Sequence, residues 1–194
     1  MPTGTFFVPG RRILVAGTSG AGKSTLALQL SELLDLPYVE LDALFHGPGW
    51  TPRPQFEAEV AAFSSGPAWV CEWQYRSVRQ LLLQRADTLV WLDYSRSVVL
   101  GRVIRRTVRR RILNQELWNG NREPGLWHAF THREGIVRWA CDTHTPNRLR
   151  LAGIEAEPGH LQVIRQRTPS QTAGWLEMLR MNRNAAGSGK AGSV

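Results

Sequence analysis

Lysine is nearly absent from this 194-residue chain. Of its twenty-four basic side chains only Lys23 and Lys190 are lysines, and the rest are arginines. Arginine codons are GC-rich, so part of that skew reflects base composition and the arginine count alone says little about function. The isolated Lys23 stands out for the same reason. Cysteine is as scarce: Cys71 and Cys141, far apart in sequence, give neither a disulfide framework nor a clustered zinc site. Cys141 and His144 have a Cys-x-x-His spacing but no second ligand pair. Nowhere does the chain hold the run of about 18 apolar residues that would span a bilayer. Its first ten residues lack the basic start and long apolar stretch of a signal peptide. These absences predict a cytoplasmic protein with no membrane segment.

What is present is a globular composition, 42% hydrophobic and 21% charged. A single core commonly organises about 100 to 200 residues. One domain is therefore expected over residues 1–183, with a Gly/Ala/Ser-rich tail at 184–194 that reads as disordered. The net charge of +8 suits partners that carry phosphate, whether nucleotides, nucleic acid or acidic metabolites.

Apolar runs alternate with helical periodicity along the chain. Strands are predicted at 12–16, 37–42, 68–72, 88–93 and 161–165, and helices at 23–34, 55–63, 78–85, 97–113, 126–141 and 170–181. Strand–helix alternation of this kind predicts an α/β fold with a doubly wound five-stranded parallel sheet. The helix after the fourth strand carries Arg102, Arg105, Arg106, Arg109 and Arg110. A polar Asn/Gly-rich stretch follows it, so an arginine-rich lid is expected at about 112–127.

Gly17-Thr18-Ser19-Gly20-Ala21-Gly22-Lys23-Ser24-Thr25 fits the Walker A pattern, and it lies between a predicted strand and a predicted helix, the context that gives the pattern its meaning. Its glycines let backbone N–H groups curl round phosphate oxygens, and the helix N-terminus adds partial positive charge. Lys23 reaches the terminal phosphates, and the Ser24 hydroxyl is a Mg²⁺ ligand. The loop therefore predicts binding of a purine nucleoside triphosphate, ATP, with Mg²⁺.

Chain length and a single basic lid resemble the adenylate-kinase and shikimate-kinase group, nucleoside monophosphate kinase-like P-loop proteins in which catalysis is positioning and charge neutralisation. More narrowly, the motifs Leu41-Asp42-Ala43-Leu44-Phe45-His46-x-Pro48-x-Trp50, Pro54-x-Phe56 and Leu117-Trp118-Asn119-Gly120-Asn121-Arg122-Glu123 look like those of bacterial adenylate-kinase-related proteins labelled topology modulation or FlaR-like. The resemblance covers roughly residues 11–180. It implies that Asp42 assists Mg²⁺ or accepts a proton from the acceptor, with Glu40 beside it on the same strand face. It also implies that Glu72 stands near the Mg²⁺ waters, that Arg76 contacts the acceptor, and that Arg102 and Arg106 neutralise the transferring phosphoryl group. Arg122 is a further contact from the lid. Trp73 replaces the glycine usual at its position, and Trp50, Trp73, Trp118 and Trp127 are candidates to stack on a ring-bearing acceptor. Trp69, Trp91 and Trp175 read as core.

The expectation is an ATP-dependent kinase acting on a nucleotide, nucleoside or other small hydroxylated metabolite. The competing class is a nucleotide-binding regulatory or nucleic-acid-associated protein. Its support is the basic charge; against it stands the absence of a recognisable DNA-binding motif.

Overall fold

A computed structural model describes residues 7–112, 136–157 and 159–190. Five strands, β1 (Arg12–Gly17), β2 (Tyr38–Val39), β3 (Trp69–Glu72), β4 (Thr88–Leu92) and β5 (Gln162–Gln166), form one sheet in the order β2-β3-β1-β4-β5. Every neighbouring pair is parallel. The helices are α1 (Lys23–Leu34), α2 (Leu41–Phe45), α3 (Phe56–Ser64), α4 (Arg79–Arg85), α5 (Arg96–Ile112), α6 (Ile136–Ala156) and α7 (Pro169–Lys190).

Parallel strands need crossover helices, and these cover both faces, so both sides of each central strand must be apolar. β1 meets that requirement residue by residue. Ile13 and Val15 join a cluster with Leu26, Leu30, Val99, Val103 and Leu176 of α1, α5 and α7. Leu14 and Ala16, pointing the other way, join Trp69, Cys71, Trp91, Val60, Leu82 and Leu151 under α3, α4 and α6. Trp69, Trp91 and Trp175 are all buried. Trp175 also ties the chain start to α7, donating from Nε1 to the Phe7 carbonyl at 3.0 Å.

Three elements depart from their expected bounds, and the apolar positions of a fourth are buried unequally. The second strand stops at Val39, and Leu41 to Phe45 turn into a short helix, because burying Leu41 completely needs the chain to turn there. The helix expected to end at Cys141 runs on to Ala156 with Pro146 inside it. Proline there forfeits one backbone donor, and Leu151, 2% exposed, anchors the turn beyond it. On α5, Val99 and Val103 are buried, whereas Ile104 is 41% exposed. Finally α7 continues to Lys190, so the stretch expected to be disordered from Asn184 is helical as far as that residue. The expected lid beyond Ile112 lies outside the described residues, and with it Arg122, Trp118 and Trp127.

Candidate active site

β1 stands between β3 and β4, so the loop leaving its carboxyl end opens at the point where successive connections diverge to opposite sides, the place where open α/β sheets bind ligands. That loop is Gly17 to Gly22. Two of its glycines are sterically required. Gly20 has φ +86°, and a Cβ there would lie 2.2 Å from Val103 Cγ2 of α5. Gly22 has φ +97°, with the Arg102 guanidinium 3.2 Å from where its Cβ would stand. Thr18 is buried behind the loop, where its carbonyl accepts from the Ala21 N–H at 3.0 Å. Gly22 occupies the N-cap of α1 and no side chain caps the helix. The first-turn N–H groups and the positive end of the helix dipole are thereby left to an anion.

The loop forms one wall of a cavity of about 640 Å³, in which Ser19 to Thr25 face Asp42, Gln74, Arg102 and Arg106. Pro169, Thr172 and Leu176 of α7 line it as well. Arg102 is tied to the loop itself, donating to the Ala21 carbonyl at 2.7 Å with its guanidinium 5.0 Å from the Tyr94 ring centre. Lys23 is only partly covered as a residue, but burial of its ammonium group lowers its pKa. The carboxylates of Glu72 and Asp42 pull the other way, and Arg106 and Arg79 add to the lowering.

Glu72, the last residue of β3, is 1% exposed. Tyr38 Oη donates to its Oε1 at 2.8 Å, and its Oε2 is buried with no partner among the described residues. A buried carboxylate oxygen left unpartnered beside an ammonium group is costly unless a cation completes it. Burial, then the Glu72 charge, pushes the Tyr38 pKa up, so the phenol stays a donor.

Asp42 sits in the first turn of α2, not on a strand. Gln74 Nε2 donates to its Oδ1 at 2.8 Å, and Tyr75 Oη donates to the same oxygen. Tyr75 adopts φ +58°, a conformation that costs a non-glycine residue about 1 to 3 kcal/mol. Its ring is held there by stacking on Phe45 at 4.2 Å and by the edge of Phe56. His46 Nε2 lies 3.3 Å from Tyr75 Oη, and the His46 ring stands edge-on to Trp50 at 5.0 Å.

No protein-family model matches the chain, and no curated protein does. Among solved structures, shikimate kinase from Acinetobacter baumannii in complex with shikimate is similar at TM-score 0.53 and 15% identity, over 93% of this chain and 96% of that one. The two share a fold, a five-stranded parallel sheet with a phosphate-binding loop after its first strand. A gluconokinase from Sinorhizobium meliloti also aligns, at TM-score 0.47 and 20% identity, over 92% of this chain and 97% of that one.

Within this fold, the sequence candidates separate into two groups. Ser19 to Thr25, Asp42, Arg102 and Arg106 share the cavity. Glu72 is coupled to it through the Lys23 charge. Gly17 and Thr18, at the start of the loop, do not line the cavity, and four candidates from other segments are elsewhere. Glu40 is the N-cap residue of α2 and does not line the cavity, because the strand that would have aligned it with Asp42 ends one residue earlier. Trp50 stands 38% exposed on a 3-10 turn, Pro48–Trp50, beyond His46. Trp73 is 6% exposed and packs into the core beneath α4, donating from Nε1 to the Arg79 carbonyl at 3.2 Å, so its ring is not available to a ligand in the P-loop cavity. Arg76 is exposed on a different cleft. Tyr38, Gln74 and Tyr75, which hold the two carboxylates, were not singled out from sequence. Their only sequence signal was position, Tyr38 in the neighbouring strand and Gln74-Tyr75 directly after Glu72.

Proposed function

We propose that this chain is an ATP-dependent phosphotransferase that moves the γ-phosphoryl group to a small hydroxylated metabolite, a nucleoside or a nucleotide. The observation that carries this reading is that Lys23 of the phosphate-binding loop and Asp42, a carboxylate oriented by two donors, face one cavity. The triphosphate lies along the loop and the N-terminus of α1, with Lys23 and Arg106 on its terminal phosphates and Arg102 fixing the loop. The acceptor enters on the Asp42 side. Its hydroxyl oxygen forms a bond to the γ-phosphorus as the β–γ bridging P–O bond breaks, ADP leaves, and the hydroxyl proton passes to Asp42. A phosphate acceptor uses the same geometry without the proton step.

Mg²⁺ fits the residues present. The orphaned Oε2 of Glu72 and the hydroxyl of Ser24 are hard oxygen donors, and Mg²⁺ typically keeps several waters and takes one or two protein groups beside the phosphates. Among the described residues no cluster of three or more His, Cys, Asp or Glu side chains is placed to hold a metal. When bound, the ion neutralises charge on the triphosphate. The topology-modulation or FlaR-like affiliation rests on the loop motifs around Asp42 and Arg122. A cytoplasmic location is consistent with the finding that no described helix is long and apolar enough to cross a membrane.

The test is a screen of ATP consumption against nucleosides, nucleotides and common hydroxylated metabolites, with Lys23→Ala beside the unaltered chain. At least one acceptor should raise turnover above the bare ATPase rate, and Lys23→Ala should lower kcat/KM by about 10²- to 10³-fold. If no acceptor does so and ATP changes only a salt-dependent affinity for DNA, the kinase reading is wrong.

A further inference from the structure

A second cleft, of about 840 Å³, opens between α4 and α6, and none of its lining residues borders the P-loop cavity. Its walls carry Arg76, Arg79 and Arg150, and the one acidic residue among them, Glu157, is exposed. Elsewhere several arginines are ion-paired: Arg12 with Asp87, Arg53 with Glu59, Arg148 and Arg165 with Asp93, and Arg180 with Glu177. Among the described residues none of the three cleft arginines forms an ion pair. Arg150 reaches only the Asn147 amide oxygen, at 2.9 Å.

Arg79 shows the cost of that arrangement. Its Nε is buried with no partner among the described residues, and its guanidinium lies 5.1 Å from the centre of the Trp73 ring. Burial lowers its pKa, and the charges of Arg150 and Arg76 lower it further, so the three cations stand close enough to repel. Beneath them the cleft is apolar: Leu83, Ile154 and Leu161 are half-buried on the core cluster that contains Trp73.

We propose that this cleft is a second anion site, which takes a small phosphate ester whose phosphate is shared by Arg76, Arg79 and Arg150 and whose body lies on Trp73 and the Leu83–Ile154–Leu161 floor. Guanidinium forks match phosphate and carboxylate alike. Three of them around one anion favour phosphate, which offers three terminal oxygens and up to two charges where a carboxylate offers two oxygens and one charge. Binding would satisfy the Arg79 Nε and relieve the repulsion among the three cations. The site does not depend on the kinase reading, because no residue of the P-loop cavity belongs to it.

The probe is inorganic phosphate, titrated calorimetrically at constant ionic strength into the full chain and into Lys23→Ala, Arg76→Gln and Arg150→Gln. Two equivalents are expected in the unaltered chain, one at the P-loop and one in the cleft. Lys23→Ala should weaken the first and spare the second. Each arginine substitution should weaken the second by about tenfold or more and spare the first, since a charged hydrogen bond is worth roughly that factor. Survival of the P-loop equivalent in the arginine variants is the check that they fold, and both positions are exposed enough to tolerate glutamine. If the P-loop takes up no phosphate, the nucleotide reading suffers while the cleft is still judged on Arg76 and Arg150, with the circular dichroism of each variant as the fold check. A single equivalent abolished by Lys23→Ala, or a second one indifferent to both arginines, overturns the proposal. So does acetate displacing phosphate from the cleft at equal concentration.

Discussion

In the P-loop cavity Lys23, Arg102 and Arg106 are opposed by Asp42 and Glu72, whereas in the α4–α6 cleft Arg76, Arg79 and Arg150 are opposed only by an exposed Glu157. Both cavities attract anions, but only the first has carboxylates held in place by neutral donors. Transfer of a phosphoryl group needs charge stabilisation at one end and a proton acceptor at the other. The mixed cavity can supply both. The cleft, with cations and no oriented base, can hold a ligand but has no evident means of transforming it. On the proposed readings the first is a site for reaction and the second a site for occupancy, a difference that can be broken residue by residue.

The largest effect is expected from Asp42→Asn, which keeps the shape and the Gln74 and Tyr75 contacts but removes the base. Steady-state kinetics should give a kcat lower by about 10²- to 10⁴-fold with ATP affinity nearly unchanged. A large loss of ATP binding would instead place Asp42 at the donor. Next comes Tyr75→Phe, which removes one of the two donors to Asp42 Oδ1. As a positioning change it should lower kcat by about tenfold while leaving KM for ATP within about twofold. A fall in Tm with kcat per folded molecule unchanged would show that Tyr75 serves the fold rather than Asp42.

The pH dependence is smaller and has a definite sign. Burial holds the Lys23 pKa below its ordinary 10.5, so its charge is lost early as pH rises, and ATP affinity measured by equilibrium binding should fall at alkaline pH before any ordinary lysine titrates. Stability runs opposite to affinity. Between the folded pKa and 10.5 the unfolded chain holds more protons, so this group makes unfolding harder as pH rises through that window. The smallest effect belongs to the cleft. Arg150→Gln removes one of three crowded cations and should raise Tm by roughly 1 to 2 °C at low salt, with the gain fading at high salt. A fall in Tm would mean that the three arginines are not repelling one another.

The phosphate-binding loop was legible from sequence because its chemistry is local: the glycines, Lys23 and Ser24 are consecutive, and the strand and helix flanking them have their own periodicity. The parallel sheet followed from apolar runs that are buried on both faces. What was not legible depends on contacts between distant segments. Val39 and Leu41 look alike as strand residues, and only the pocket that buries Leu41 turns the chain and parts Glu40 from Asp42. Trp73 reads the same whether its ring faces a ligand or the core, and its packing decides for the core. Arg76 and Arg150 are far apart in the chain, so nothing in either segment predicts that they meet in one cleft. Pro146 concealed the continuation of α6, since proline within a helix reads as its end.

The scarcity of lysine has a practical consequence. Lys23 and Lys190 are the only side-chain amines in the chain, and burial weakens the hold of Lys23 on its proton. An amine-directed reagent therefore has few places to go, and at the phosphate-binding loop it meets an amine that gives up its proton more readily than an ordinary lysine. Covalent labelling of this protein becomes a direct measure of whether the loop is occupied, with a nucleotide that seats there protecting the lysine it covers.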